Sequence, residues 1–313
     1  MDTRYTRDLF VRLLLLGLIG LSLVGCRNSP TPPPPTQTLP AQTATPAGTQ
    51  APPTRTPIPT PSLPAAPLAA IVNGWAVTQA EYEAELALYR STQPAEDDDG
   101  AAARQQVLDN LINEALLARA AQQAGFVLDD AAVQARLDQL AAQLGGLQLL
   151  ADWMGTHGYD DETFRWALRR SMAAAWMRDQ IVTDVPVVAE QIHARQILLY
   201  NSDEANVVLL QLKNGASFSD LAFQFDPTAG GDLGWFPRGY LVDPAVEEAA
   251  FSLAADQISE VIASPLGYHI IQVLEIDPRR PVDASVRLVL QEKALLDWVA
   301  KERDQSTIEI RVP

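Results

Sequence analysis

Cysteine is nearly absent. With one in 313 residues, no internal disulfide is available, and the position of Cys26 marks it as something other than a structural thiol. Histidine is scarce too, with three in the chain, so side chains able to exchange protons near neutral pH are few. Basic residues are outnumbered, 23 Lys and Arg against 39 Asp and Glu, for a net charge of −16. That balance excludes a nucleic-acid partner, because phosphate contacts need a basic face. The Gly230-Gly231 pair is not followed by a helix start or by Lys-Ser/Thr, so it is not a phosphate loop. Long apolar runs are missing as well, and the longest, Leu13 to Val24, is short for a membrane span.

What is present begins with an address. Arg4, Arg7 and Arg12 precede the apolar run, which has the layout of a secretory signal over residues 1–25. Its end, Leu23-Val24-Gly25-Cys26, resembles the bacterial lipobox. The resemblance implies acylation of the Cys26 thiol and attachment to the outer surface of a bacterial membrane through a lipid anchor. The alternatives are an ordinary signal peptide and an anchor helix with an incidental cysteine. Residues 26–68 are rich in Pro, Thr, Ala, Gln and Ser, and runs such as Pro32 to Pro35 exclude helix and sheet, so a disordered tether is expected. About 40 residues at about 3.1 Å each would reach roughly 120 Å.

Residues 69–187 read as mainly helical. Ile71 to Val77 flanks Asn73-Gly74 with apolar residues, a hairpin signal. Thr78 with Glu81 forms a capping box that opens a helix to about Arg90, and Glu96 to Asp99 is a solvated acidic loop. A helix over 101–123 places Leu108, Leu111, Ile112, Ala115 and Leu116 on one face, with Gly125 to stop it. Asp129 or Asp130 caps a second, with Val133, Leu137, Leu140 and Leu144 inward. A shorter helix follows near 147–154. Asp160 or Asp161 opens a last one, carrying Phe164, Leu168, Met172 and Trp176 at a spacing of four. His157, in a turn with no second ligand or carboxylate at a usable spacing, reads as a surface residue.

After Val185-Pro186 the pattern changes. Ile192 to Tyr200 is strand-like, Asp203 and Ser217 cap helices, and a strand over 233–236 follows the double glycine. A helix near 244–253 and closing strands near 259–262 and 268–276 complete a β-α-α-β-α-β-β order, an α+β unit. Two of the three histidines, His193 and His269, bracket this stretch.

His193-Ala194-Arg195-Gln196-Ile197-Leu198, Gly230-Gly231-Asp232-Leu233-Gly234-Trp235-Phe236, Glu247-Glu248-Ala249-Ala250-Phe251 and Gly267-Tyr268-His269-Ile270-Ile271 resemble the parvulin-type peptidyl-prolyl isomerases. The resemblance covers about Glu190 to Asp277, within a domain expected over residues 188–278, and implies rotation about X–Pro amides, which needs no cofactor and no metal. It implies a catalytic polar cluster of His193, Asp226 and His269, with Asp226 fixing the histidine tautomers. A substrate pocket of Leu241, Val246, Trp235 and Phe236 and a hydroxyl at Ser264 follow in the same way. Two features depart from the family pattern. Val246 stands where an aromatic is common, and the loop from Asp226 to Gly230 is short. The early loop Tyr200 to Glu204 is acidic, against a phosphorylated substrate.

Pro278 and Pro281 are expected to end this unit. Asp283 opens a helix to about Asp304 with Val289, Leu296, Val299 and Ala300 on one face, and Ile308, Ile310 and Val312 alternate after it. A lone helix cannot bury its face, so residues 279–313 are expected to pack back on the helical segment, the strand pairing near Ile71 or Trp75. The isomerase-like unit is then an insertion in a mainly helical, chaperone-like domain. This organisation resembles the SurA/PrsA-like extracytoplasmic foldases. The resemblance implies isomerisation of unfolded, proline-containing exported polypeptides. The alternative is a chaperone-like lipoprotein that binds peptide with weak or no isomerase activity.

Overall fold

A computed structural model describes residues 66–92 and 100–312. The signal-like segment, Cys26, the tether up to residue 65 and the acidic loop at 96–99 lie outside the described residues, and Leu68, expected to end the tether, already belongs to a strand.

The hairpin forms as the Asn-Gly pair predicts. Strands β1 (Leu68–Val72) and β2 (Trp75–Thr78) pair antiparallel. Asn73 and Gly74, at φ 51 and 85, supply the two left-handed residues of a tight hairpin turn. Helix α1 (Gln79–Thr92) opens on the expected capping box: the Thr78 backbone N–H donates to Glu81 Oε2 at 2.9 Å, and the Glu81 N–H donates to Thr78 Oγ1 at 3.3 Å. Four helices follow, α2 (Ala101–Gln123), α3 (Asp130–Leu144), α4 (Leu147–Thr156) and α5 (Asp161–Thr183). Asp129 caps α3 and Asp160 caps α5, resolving both open choices. The α2 stripe of Leu108, Leu111, Ile112, Ala115 and Leu116 is buried against the hairpin and α1.

Helix α5 departs from the amphipathic reading. Its most buried side chains are Arg170, Ala173 and Ala174, while Phe164, Leu168 and Trp176 are only partly covered. Arg170 Nη2 lies 3.1 Å from Glu81 Oε1, and its Nε lies 3.2 Å from Glu114 Oε1. Burial alone would lower the guanidinium pKa, but the two carboxylates outweigh it and push it up. The charge therefore stays, and it ties α5 to α1 and α2. His157 ends α4, stacked on Trp153 at 4.2 Å.

The inserted unit contains a four-stranded sheet of order β4-β3-β6-β5, formed by β3 (Val188–Leu199), β4 (Asp232–Pro237), β5 (Ile262–Ser264) and β6 (Gly267–Pro281). Helices α6 (Ser202–Lys213) and α7 (Phe218–Phe225) cover one face, and α8 (Pro244–Ser252) covers the other. Three expectations need correction. Asn201, not Asp203, caps α6, accepting from the N–H groups of Asp203 and Glu204. The first closing strand is displaced to 262–264, and only an isolated bridge, Ile258 to Gln272, marks the earlier position.

Neither Pro278 nor Pro281 ends the unit at that point. Strand β6 runs through both, because the register slips between Ala189 and Gln191 and leaves Pro278 in a bulge, where no ladder N–H is needed. Gln191 Nε2 binds the carbonyls of Arg280 and Pro281, both at 3.0 Å, and secures the ribbon.

The tail returns to the start. Helix α9 (Ala284–Asp304) packs Leu295, Trp298 and Val299 against α2 and α5, and Arg303 reaches Asn113 and Asp109. Val289 and Ala300, expected inside, are exposed. Strand β7 (Ile308–Ile310) pairs antiparallel with β1 through Ala70 to Val72, giving a second sheet of order β2-β1-β7.

Removing the buried cation strands two carboxylates. Arg170→Ala is expected to lower unfolding free energy by about 3–5 kcal/mol, measured by urea denaturation. A loss under about 1 kcal/mol would show the cluster to be idle.

Candidate functional site

Strand alternation decides which polar side chains can meet. On β3, Ile192 and Ala194 share a buried cluster with Ile271 and Val273 of β6, under α8. Gln196 continues that series on β3 and His269 continues it on β6. They meet: His269 Nδ1 lies 2.9 Å from Gln196 Oε1. Its Nε2 lies 2.8 Å from Ser264 Oγ on β5. An amide oxygen only accepts, so Nδ1 carries the proton and Nε2 accepts from the Ser264 hydroxyl. Ser264 Oγ in turn accepts the Leu266 N–H at 3.0 Å. The imidazole is 4 % exposed. Burial lowers its pKa below 6.5, with Asp243 opposing, so the ring is neutral at physiological pH.

His193 lies elsewhere. It is opposite Glu275, whereas His269 is opposite Leu198, a separation of about 17 Å along the strand. Being odd-numbered on β3, it also lies on the other face from Gln196. Its Nε2–H donates to Asp232 Oδ1 at 2.9 Å, and its ring stacks on Trp235 at 5.6 Å. The Arg280 guanidinium covers that Trp235 at 4.2 Å. The structure therefore brings His193 and Trp235 together, away from His269.

Asp226 touches neither histidine. Its Oδ1 accepts from the N–H groups of Thr228 and Ala229, and its Oδ2 from Gly231. These bonds, that to Ala229 first, hold its carboxyl below the usual range. Its link to the site runs through the backbone, since the Gln196 N–H donates to the Gly231 carbonyl at 2.8 Å. A Cβ at Gly231, where φ is +72, would lie 1.9 Å from the Gln196 carbonyl oxygen. The second glycine is therefore a close-approach requirement that seats Gln196.

The apolar side of the site is α8 and the loop before it. Phe236 and Val246 are fully inside the core, with Ala250 and Ile271, while Leu241 packs against this cluster half-covered. Of the residues expected to line a pocket, Leu241, Trp235 and Ser264 are half-covered, and of these Leu241 is the apolar one on the α8 side. Two contributors were missed in the sequence, Gln196 and Glu247. Parity with Ile192 and Ala194 could have found Gln196. Glu247 accepts from the N–H groups of Gly239 and Leu241, and its acidic side chain in the first turn of α8 is the only local signal for it.

Two outcomes follow. The unfolded chain protonates His269 more readily than the folded one, so acidification through pH 6.5 costs stability down to the folded pKa. The stability difference between the wild type and His269→Asn is therefore constant above about pH 7.5 and shrinks as pH falls through that window, read by urea unfolding across pH. Gly231→Ala is expected to cost more than about 3 kcal/mol by the same measurement, because the contact is with backbone.

Parts of the chain are similar to known proteins. Residues 182–277 match the family model described as the PPIC-type PPIASE domain, and residues 63–152 match the SurA-like N-terminal domain. Chaperone SurA of Methylobacillus flagellatus is 34% identical over 148 residues, 41% of this chain and 34% of that protein. Foldase protein PrsA 1 of Bacillus cereus is 30% identical over 189 residues, 58% of this chain and 63% of that protein. The matched region thus spans about a third of the first relative and under two thirds of the second. The crystal structure of the peptidylprolyl isomerase PrsA from Bacillus anthracis, 26% identical, aligns over 66% of this chain and 99% of that one at a TM-score of 0.41. Within one chain, residues 182–277 are thus similar to a PPIC-type peptidyl-prolyl isomerase domain and residues 63–152 to a SurA-like N-terminal domain.

Proposed function

We propose that this chain is a foldase that isomerises X–Pro bonds in unfolded, exported polypeptides by a non-covalent mechanism. The observation that carries the reading is the buried, neutral His269, held between Gln196 and Ser264 within a PPIC-type domain. Rotation about the amide has a barrier of about 18–20 kcal/mol, set by C–N double-bond character. No bond to carbon breaks, so a fixed array of dipoles and an apolar surface are what the reaction needs. Leu241 provides the surface for the proline ring. The Gln196, His269 and Ser264 network provides groups whose orientation is settled before substrate arrives. Asp226 spends its carboxylate on three backbone N–H groups, which supports a role in shaping the turn and argues against nucleophilic attack.

Helices α1 to α5 and α9 form the part of the chain suited to holding unfolded clients, in keeping with the SurA-like match. Among the described residues, no helix is long and apolar enough to cross a membrane. The signal-like segment ending at Cys26 supports a location outside the cytoplasm with a lipid anchor. Mass spectrometry of the cell-derived protein tests this: a diacylglyceryl modification of Cys26 is expected, and an unmodified chain starting elsewhere would contradict it.

A second reading, peptide binding with little isomerisation, is favoured by Val246, whose small side chain is already buried in the core. A protease-coupled assay on a proline tetrapeptide separates the two. His269→Ala and Leu241→Ala are expected to lower kcat/KM by about tenfold or more, with His193→Ala near wild type. Wild-type rates equal to the uncatalysed rate would leave the binding reading standing.

A further inference from the structure

The loop between β4 and α8 carries Leu241 and has no strand partner of its own. Its backbone is held by side chains of the helix that follows. Glu247 accepts the Gly239 N–H on both oxygens, at 2.8 and 2.9 Å, and the Leu241 N–H on Oε2 at 3.1 Å. The helix does not need Glu247 to begin. Asp243 already caps it, Oδ1 accepting from Ala245 at 2.9 Å and Val246 at 3.2 Å, with Pro244 in its first turn. The neighbouring Glu248 is committed elsewhere, 3.3 Å from Arg238, whose guanidinium lies 4.3 Å over the Phe251 ring. The Glu247 carboxylate is thus spent on the loop alone. It sits in the first turn of α8, where the helix dipole favours negative charge, and its bonds to the loop are charge-assisted.

We propose that Glu247 is the positioning residue of the isomerase site, fixing the Leu241 backbone so that the apolar floor is formed before substrate binds. The inference rests on the function proposed above. Glu247 acts through Leu241 and does not touch the substrate. A preformed floor lowers the ordering cost of binding, so its loss falls on KM more than on kcat. A glutamine at this position keeps one accepting oxygen and brings an NH2 toward N–H donors, so it restores the brace only in part.

The test uses the full chain with Glu247→Ala and Glu247→Gln. Amide hydrogen exchange is followed at Gly239 and Leu241, and at Ala250 as an internal control, together with kcat and KM on a proline tetrapeptide. For Glu247→Ala, the expectation is exchange about tenfold faster or more at Gly239 and Leu241, unchanged protection at Ala250, and KM raised about tenfold with kcat within about twofold. Glu247→Gln falls between. Wild-type KM and wild-type exchange in Glu247→Ala overturn the proposal. So does loss of protection at Ala250 alongside the loop, which would make the residue a general stabiliser of α8. If the wild-type chain binds the peptide without isomerising it, the proposed function fails separately. Positioning is then read from the peptide dissociation constant: an increase of about tenfold in Glu247→Ala supports it and an unchanged value overturns it.

Discussion

The long antiparallel pairing of β3 with β6 is the constraint on which the rest of the chain depends. It runs from Val188 opposite Pro281 to Leu199 opposite Tyr268, and one further bond, Val282 N–H to the Val187 carbonyl, extends it. Bringing these distant segments together closes a long loop, whose entropy cost rises only slowly with length. Once closed, the ribbon delivers the chain back beside the point where it left α5. Helix α9 can then reach α2 and α5, and β7 can add to β1. The same ladder sets the site, since its register decides that Gln196 and His269 share a face. The Gln191 side chain and the bulge at Pro278 are the adjustments that let this ribbon carry prolines without breaking.

Two buried polar groups do different work on the two sides of this ribbon. Arg170 keeps its charge because Glu81 and Glu114 meet it, and it joins three helices into one core. His269 loses its charge because burial outweighs Asp243, and its two ring nitrogens are used by Gln196 and Ser264. A satisfied polar network in a buried setting is rigid, because each lost bond leaves an unpaired group behind. That rigidity is what a non-covalent isomerase site requires. The glycine turn serves the same network: Asp226 shapes the turn, and Gly231 lets it approach the backbone of Gln196.

Much of the fold was legible in the residues. Asn73-Gly74, the Thr78 and Glu81 pair, and Ser217 each mark an element end through local chemistry, and the structure uses them all. One misreading is local, the α6 cap falling at Asn201 instead of Asp203, and others arise where long-range pairing overrides a local signal. Pro278 reads as a strand breaker until a partner strand supplies a bulge. His193 reads as a site residue by motif, yet three positions along a strand is an odd step that turns its side chain to the other face. His269 continues the alternating series of Ile271 and Val273, and Leu241 lies against the cluster those residues build, so their placement follows from the strand period.

On the proposed function, proline isomerisation takes place on the α8 face of the sheet, around His269 and Leu241. Exchange NMR on a peptide with resolved cis and trans proline signals, with catalytic amounts of the labelled chain, tests it directly. Cis-to-trans exchange cross-peaks are predicted, together with peptide-dependent shifts of the His269 ring and Leu241 methyl signals and an unmoved His193 ring. Absence of exchange, or shifts confined to His193 and Trp235 on the opposite face, would contradict it.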